Sequence, residues 1–243
     1  MPAANAPMAR KMHPIWRHAL RLLALLALCT AALQVVWLTR VALMREIDPQ
    51  STSFQRSEAW RLLVNKHTLA WSQQWADFDR LGRQLPRAVI ASEDTGFAEH
   101  NGVEWNAIKT AWTRNRHANS PKLVGGSTIT QQLAKNLFLS GERTAARKAQ
   151  EFVITLILEA LLPKARILEI YLNSVEWGEG VFGAQAAAQH YFRLDAARLS
   201  ATQAARLAVM LPAPKRFEKT PASSYVQGRA ATIATRMADV TLP

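Results

Sequence analysis

Glu93 and Asp94 follow directly on the apolar run Ala88-Val89-Ile90-Ala91, and Phe97, His100 and Gly102 complete the stretch SEDTGFAEHNG at 92–102. Apolar neighbours desolvate a carboxylate and raise its pKa, which suits it to take a proton near neutral pH. Further on, GGSTITQQLAKN at 125–136 sets two glycines before Ser127, Thr128 and Thr130, with Gln131, Gln132, Lys135 and Asn136 behind them. Ser127 or Thr128 suits a helix N-cap, and a helix start presents N–H groups that favour an anion. Gln131 and Lys135 are i,i+4 partners on one face. In RKAQE at 147–151, Arg147 and Lys148 both reach Glu151 at helical spacing. Alone, that is a surface ion pair of small value. The apolar FVITLILEALL beyond it takes the helix into a core, so these charges stand at its mouth.

The elements that must position these groups read as mostly helical. Segments 54–80, 103–116, 126–139, 144–172, 182–192 and 200–211 are rich in Ala, Leu, Gln, Glu and Arg. Gly82, Pro86, Gly96, Gly102, Gly125-Gly126, Gly141, Pro163 and Gly178-Glu179-Gly180 punctuate them. Gly180, Gly183, Ala184 and Ala187 permit close approach of neighbouring backbone. No hairpin signal, repeat or long linker is evident, and a Pro/Ser-rich stretch after Leu211 leads to one short last helix. The reading is a single α-rich domain.

Charge is distributed unevenly. The net charge of +12 invites a nucleic-acid reading. Six of the 30 basic residues, however, fall within the first 45 positions, where there is no acid, so half the excess lies there. Between Arg21 and Arg40, Leu22 to Leu38 forms an apolar run at the short end of the roughly 17–25 residues that span a bilayer. Basic residues dominate its N-terminal side, which puts the N-terminus in the cytoplasm, and Trp16 and Trp37 bracket it. The expected organisation is a basic tail at 1–21, a transmembrane signal anchor at 22–39 and an extracytoplasmic domain over 50–243. A cleaved signal peptide fits less well, because its only small-residue site lies inside the apolar run. The single cysteine, Cys29, excludes an intramolecular disulfide and a cysteine-based zinc cluster.

Five motifs occur in order: Glu93-Asp94-x-x-Phe97-x-x-His100-x-Gly102; Gly125-x-Ser127-Thr128-Ile129-Thr130-Gln131-Gln132-x-x-Lys135-Asn136; Arg147-Lys148-x-x-Glu151; Lys164-x-x-Ile167-Leu168-Glu169-x-Tyr171-Leu172-Asn173; and Gly180-x-x-Gly183-x-x-x-Ala187-x-x-x-Tyr191-Phe192. Over roughly residues 50–240 the chain resembles the peptidoglycan glycosyltransferases of glycosyltransferase family 51. Ending without a transpeptidase domain, it is similar to the monofunctional, membrane-anchored members. Glu104 departs from the Asp more usual there.

The resemblance implies a lysozyme-like helical fold and polymerisation of lipid II, a lipid-linked disaccharide-pentapeptide, into β-1,4 glycan with inversion and loss of polyprenyl diphosphate. It implies Glu93 as general base, with Glu151 orienting the diphosphate directly or through a divalent ion, Mg2+ or Mn2+. Lys135, Arg147 and Lys148 would meet the diphosphate. Gln131, Gln132, Asn136, Ser127 and Thr130 would contact substrate, and Asp94 and His100 would orient the base loop. Phe138, Leu139, Tyr191 and Phe192 read as core. The residues themselves form no dedicated metal cluster. Implied partners are lipid II, the growing glycan, the inner-membrane bilayer and other cell-wall synthesis and division proteins, with no nucleic acid. A glycan-cleaving muramidase needs an acidic glutamate but no cation set, so Lys135, Arg147 and Lys148 count against it. Trp105, Ile108 and Trp112, with Lys109, Arg114, Arg116 and Lys122 nearby, have the pattern of a membrane-interface contact.

Overall fold

Side-chain caps at Thr52, Thr128, Thr144, Ser200 and Ser223 start five of the helices among the described residues. The computed structural model describes residues 14–105, 109, 113, 126–139, 141–142 and 144–243. They fall into two units, divided between Arg40 and Val41. The first carries most of helix α1 (Pro14–Leu43), within which Ile15–Leu43 is long and apolar enough to cross a membrane, with a mean hydropathy of 2.2 over an 18-residue window. Most of its large apolar side chains are exposed, as is Trp16, whereas Trp37 is buried.

The second unit is built from helices around a small sheet. Helix α2 (Ser53–Lys66) starts at a capping box between Thr52 and Gln55 and ends at His67, which takes the left-handed conformation. The helix expected over 54–80 therefore stops at Lys66. Beyond it the chain is extended, with strand β1 (Ser72–Gln73) and a short 3-10 turn at Phe78–Leu81. Asn173 holds this segment: its side chain donates to the Ala76 carbonyl at 2.9 Å and accepts from the Ala76 N–H at 2.9 Å.

Helix α3 (Gln84–Glu93) buries Leu85, Ala88, Val89, Ile90 and Ala91 and makes Glu93 its last helical residue. Helix α4 (Ile129–Phe138) begins at a capping box between Thr128 and Gln131. Helix α5 (Ala145–Leu161) starts at Thr144, whose side chain accepts the Arg147 N–H. The segment expected as one helix over 144–172 breaks at Leu162-Pro163 and resumes as α6 (Lys164–Ser174), because proline supplies no N–H and disfavours helix in the residue before it.

Strands β2 (Glu176–Gly178) and β3 (Val181–Phe182) form an antiparallel pair, and β1 runs parallel to β3 with Ser72 opposite Val181. The hairpin was not expected, since strands this short show no alternation. Helix α7 (Ala184–Phe192) follows, then α8 (Ala201–Met210), a single turn α9 (Pro214–Phe217) and α10 (Ser224–Arg236). Helix α3 packs on α8 and α8 on α10, while α4 packs against α5, α6 and α2. The core holds Phe97, Leu133, Ile154, Tyr171, Trp177 and Phe182. Of the four residues expected in it, Leu139 is buried, whereas Phe138, Tyr191 and Phe192 are half-buried. The fold is mainly α, of the lysozyme-like helical kind.

Candidate active site

Asp94 organises the junction between α3 and α4. Its Oδ2 accepts the Ile129 N–H at 2.9 Å and its Oδ1 meets His100 Nε2 at 2.7 Å. His100 Nδ1 accepts the Gly102 N–H at 3.1 Å, so Nε2 carries the proton and donates to Asp94. Thr128 donates to the Gly102 carbonyl at 2.7 Å and its oxygen caps the Gln131 N–H. The start of α4 was expected to offer open N–H groups to an anion. Asp94 supplies that anion from within the chain, where the positive end of the helix dipole favours it. Asp94 and His100 thus brace the loop after Glu93 and do not line the neighbouring cavity.

Glu93 stands at the C-terminal end of α3. Gln132 Nε2 donates to its Oε2 at 3.0 Å, and Ser92 Oγ donates to its Oε1 at 3.3 Å. Burial pushes the Glu93 carboxyl above the ordinary glutamate value; the bonds from Gln132 and Ser92 pull against that, the charge of Asp94 adds to it, and Arg229 on α10 opposes it.

A cavity of about 390 Å³ opens beside Gln132, lined by Ser127, Gln131, Gln132, Lys135 and Asn136 from the α4 region and by Arg147, Lys148 and Glu151 from α5. Glu151 is buried and anchors both cations: Arg147 Nη1 donates to Oε2 at 2.6 Å, and Lys148 donates to Oε1. Arg147 Nε is buried with no acceptor among the described residues. Three cationic side chains therefore line the cavity, with a single buried carboxylate holding two of them.

Most residues singled out from the sequence meet here. Thr130 does not: it is fully buried and donates to Glu159 Oε1 at 2.5 Å, where Lys164 also pairs at 2.9 Å. Gln131 lines the cavity, but its side-chain oxygen accepts the Thr128 N–H at 3.3 Å. Phe54 and Glu142 line the cavity and were not anticipated; no spacing ties either to the motifs. Trp105 is 67% exposed, with its ring 6.2 Å from that of Phe152. Lys109 is exposed. Ile108, Trp112, Arg114, Arg116 and Lys122 lie outside the described residues. Among the described residues no three His, Cys, Asp or Glu side chains converge as metal ligands.

Comparison with known proteins agrees with the motif order. Residues 63–238 match the family model described as Transglycosylase. The chain is 50% identical over 220 residues to a protein of Paraburkholderia phytofirmans named biosynthetic peptidoglycan transglycosylase, covering 90% of this chain and 91% of that one. A Burkholderia thailandensis protein of the same name is 53% identical over 212 residues, covering 87% and 82%. One from Burkholderia pseudomallei is likewise 53% identical over 212 residues, with the same coverage of 87% and 82%. With five motifs in order, a family match over most of its length and relatives of this identity, the chain is an enzyme that belongs to the transglycosylase family.

Proposed function

We infer that the chain polymerises lipid II into linear β-1,4 glycan, inverting C1 of the donor and releasing polyprenyl diphosphate. The observation that carries this reading is Gln132, which lines the cation-walled cavity and donates at 3.0 Å to the desolvated Glu93. One residue therefore links a carboxylate suited to accept a proton with cations suited to receive an anion. Glu93 takes the proton of the acceptor 4-hydroxyl as its oxygen attacks donor C1. The C1–O bond to the diphosphate breaks, and the leaving group carries away the electron pair. Lys135, Arg147 and Lys148 stabilise the charge that gathers on it. Glu151 holds Arg147 and Lys148 in place. Ser127, Gln131, Gln132 and Asn136 are suited to sugar and peptide amides. A Mg2+ or Mn2+ ion at Glu151 would have to displace a bonded cation, Arg147 or Lys148.

Helix α1 serves as a membrane anchor in this reading, with residues 1–21 cytoplasmic and the catalytic domain outside the inner membrane. Its partners are lipid II, the growing glycan and other proteins of cell-wall synthesis and division. Glu93→Gln tests the base. It should lower polymerisation by about 10²–10⁴-fold with unchanged melting. Retention of more than a tenth of the wild-type rate in a folded variant would remove Glu93 from that role. In the wild type, the raised carboxyl pKa puts the acidic limb of the rate above the ordinary glutamate range, because activity is lost as pH falls and Glu93 takes up a proton.

A further inference from the structure

Tyr171 lies in the fourth motif, on α6, and glycosyl transfer by Glu93 and the three cations gives it no part. Its side chain is fully buried, yet its hydroxyl reaches the site: it donates to Gln132 Oε1 at 2.9 Å. The other end of the same carboxamide, Nε2, donates to Glu93 Oε2 at 3.0 Å. The two bonds fix which way the amide faces. Turned over, it would set its carbonyl oxygen against the Glu93 carboxylate, acceptor against acceptor, and its NH2 against the phenol. A fully buried tyrosine beside two carboxylates is also held in its protonated form: burial pushes its pKa well up, and Glu93 and Asp94 add to the rise. It remains a donor across the working pH range.

We propose that Tyr171 is a positioning residue for Glu93, acting through the Gln132 carboxamide, which it locks with the NH2 toward the base. The proposal rests on Glu93 being the base. In consequence the amide favours the ionised carboxylate and aims it at the acceptor site, while α6 and α4 supply a rigid frame behind it. Among the described residues, four elements face Glu93: α3 with Ser92 and the neighbouring Asp94, α4 with Gln132, α6 with Tyr171 and α10 with Arg229. Ser92 donates directly at 3.3 Å, whereas Tyr171 sets the direction of the shorter bond from Gln132.

The test uses the full-length protein in detergent with lipid II as substrate, and measures kcat, KM and the pH profile of kcat/KM. Tyr171→Phe keeps the ring and removes the hydroxyl. It should lower kcat about tenfold with little change in KM. It should also move the acidic limb up by roughly half to one pH unit, since a freed amide no longer favours the carboxylate. Gln132→Met removes the NH2 altogether and should move the limb the same way. Adding Tyr171→Phe to it should then shift the limb no further. A purely structural tyrosine would cost stability or kcat without moving the limb. If Tyr171→Phe does not fold, an unmoved limb in Gln132→Met overturns the proposal, and a moved one upholds the bond to Glu93 on which it depends. Superimposed profiles for wild type and Tyr171→Phe, with Glu93→Gln inactive, overturn the relay and leave the base intact. An active Glu93→Gln overturns the base itself.

Discussion

At Glu151, two cations share one buried carboxylate, and the cavity they line also holds Lys135. If these side chains receive a diphosphate, Lys135→Ala and Arg147→Ala should weaken the binding of lipid II by about 1.5–3 kcal/mol each and leave a lipid-free glycan nearly unaffected. Titration with both ligands checks this, and equal losses would make the residues structural. Glu176 gives a prediction of another kind. It is 5% exposed, its Oε1 lies 3.4 Å from Lys215 without a hydrogen bond, and burial pushes its carboxyl up to about 7. An acid with a raised folded pKa destabilises the fold as pH climbs from its unfolded value through its folded one. Glu176→Gln should therefore be nearly neutral below about pH 4.5 and stabilising by about 1–3 kcal/mol at about pH 8. Thermal melts at both pH values decide it. Within the second motif, the side chains divide by the face of α4 they occupy. Gln131, Gln132, Lys135 and Asn136 share the cavity side of α4, with Ser127 just before it, whereas Thr130 is turned about 100° from Gln131 and meets Glu159 instead. Motif membership names these residues together, and only the helix separates their roles.

Among the elements, one helix start was legible from its cap: of Ser127 and Thr128, the two candidates, Thr128 is the N-cap. Thr52, Thr128 and Ser200 each take a glutamine three residues on as capping-box partner, and each starts a helix. Composition could not stop α2 at Lys66, because the stretch after it is extended only where β1 meets β3, more than a hundred residues away. Gly180 marks that meeting. At φ +73, a Cβ there would lie 2.0 Å from the Ala70 carbonyl oxygen, and the Ser72 N–H donates to the Gly180 carbonyl at 2.8 Å. Gly228, inside α10, has open space at its Cβ position: beyond its own stretch of helix, no atom of the described residues comes within 4 Å. Gly180→Ala should therefore cost more than about 3 kcal/mol, from positive-φ strain and a backbone clash together. Gly228→Ala should stabilise by about 0.5–1 kcal/mol. Chemical denaturation of the two variants separates a glycine the sheet requires from one the helix tolerates.

For the whole molecule, the apolar helix α1 and the mainly helical catalytic unit were both legible, since long periodic segments carry strong signals. Much of the cavity wall is made of residues the motifs had named, Ser127, Gln131, Gln132, Lys135, Asn136, Arg147, Lys148 and Glu151, whereas Phe54 and Glu142 were not legible, because no spacing ties them to those motifs. A lipid-linked substrate of the kind proposed would stay in the bilayer, and the enzyme would then present a face to it. Trp105, 67% exposed, and Leu156, 45% exposed, are large apolar side chains on the catalytic unit. Trp105→Ser should leave melting within about 0.5 kcal/mol of wild type, as for an exposed site, and weaken binding of anionic vesicles. A lower melting temperature with vesicle binding intact would assign Trp105 to packing. The most direct measurement of the proposed activity is to incubate the purified full-length protein with lipid II and size the product before and after muramidase digestion. Polymerisation by Glu93 predicts a high-molecular-weight glycan that muramidase reduces to disaccharide-peptide units, and none with Glu93→Gln. Unconsumed lipid II, or shortening of preformed glycan by the protein alone, would contradict it.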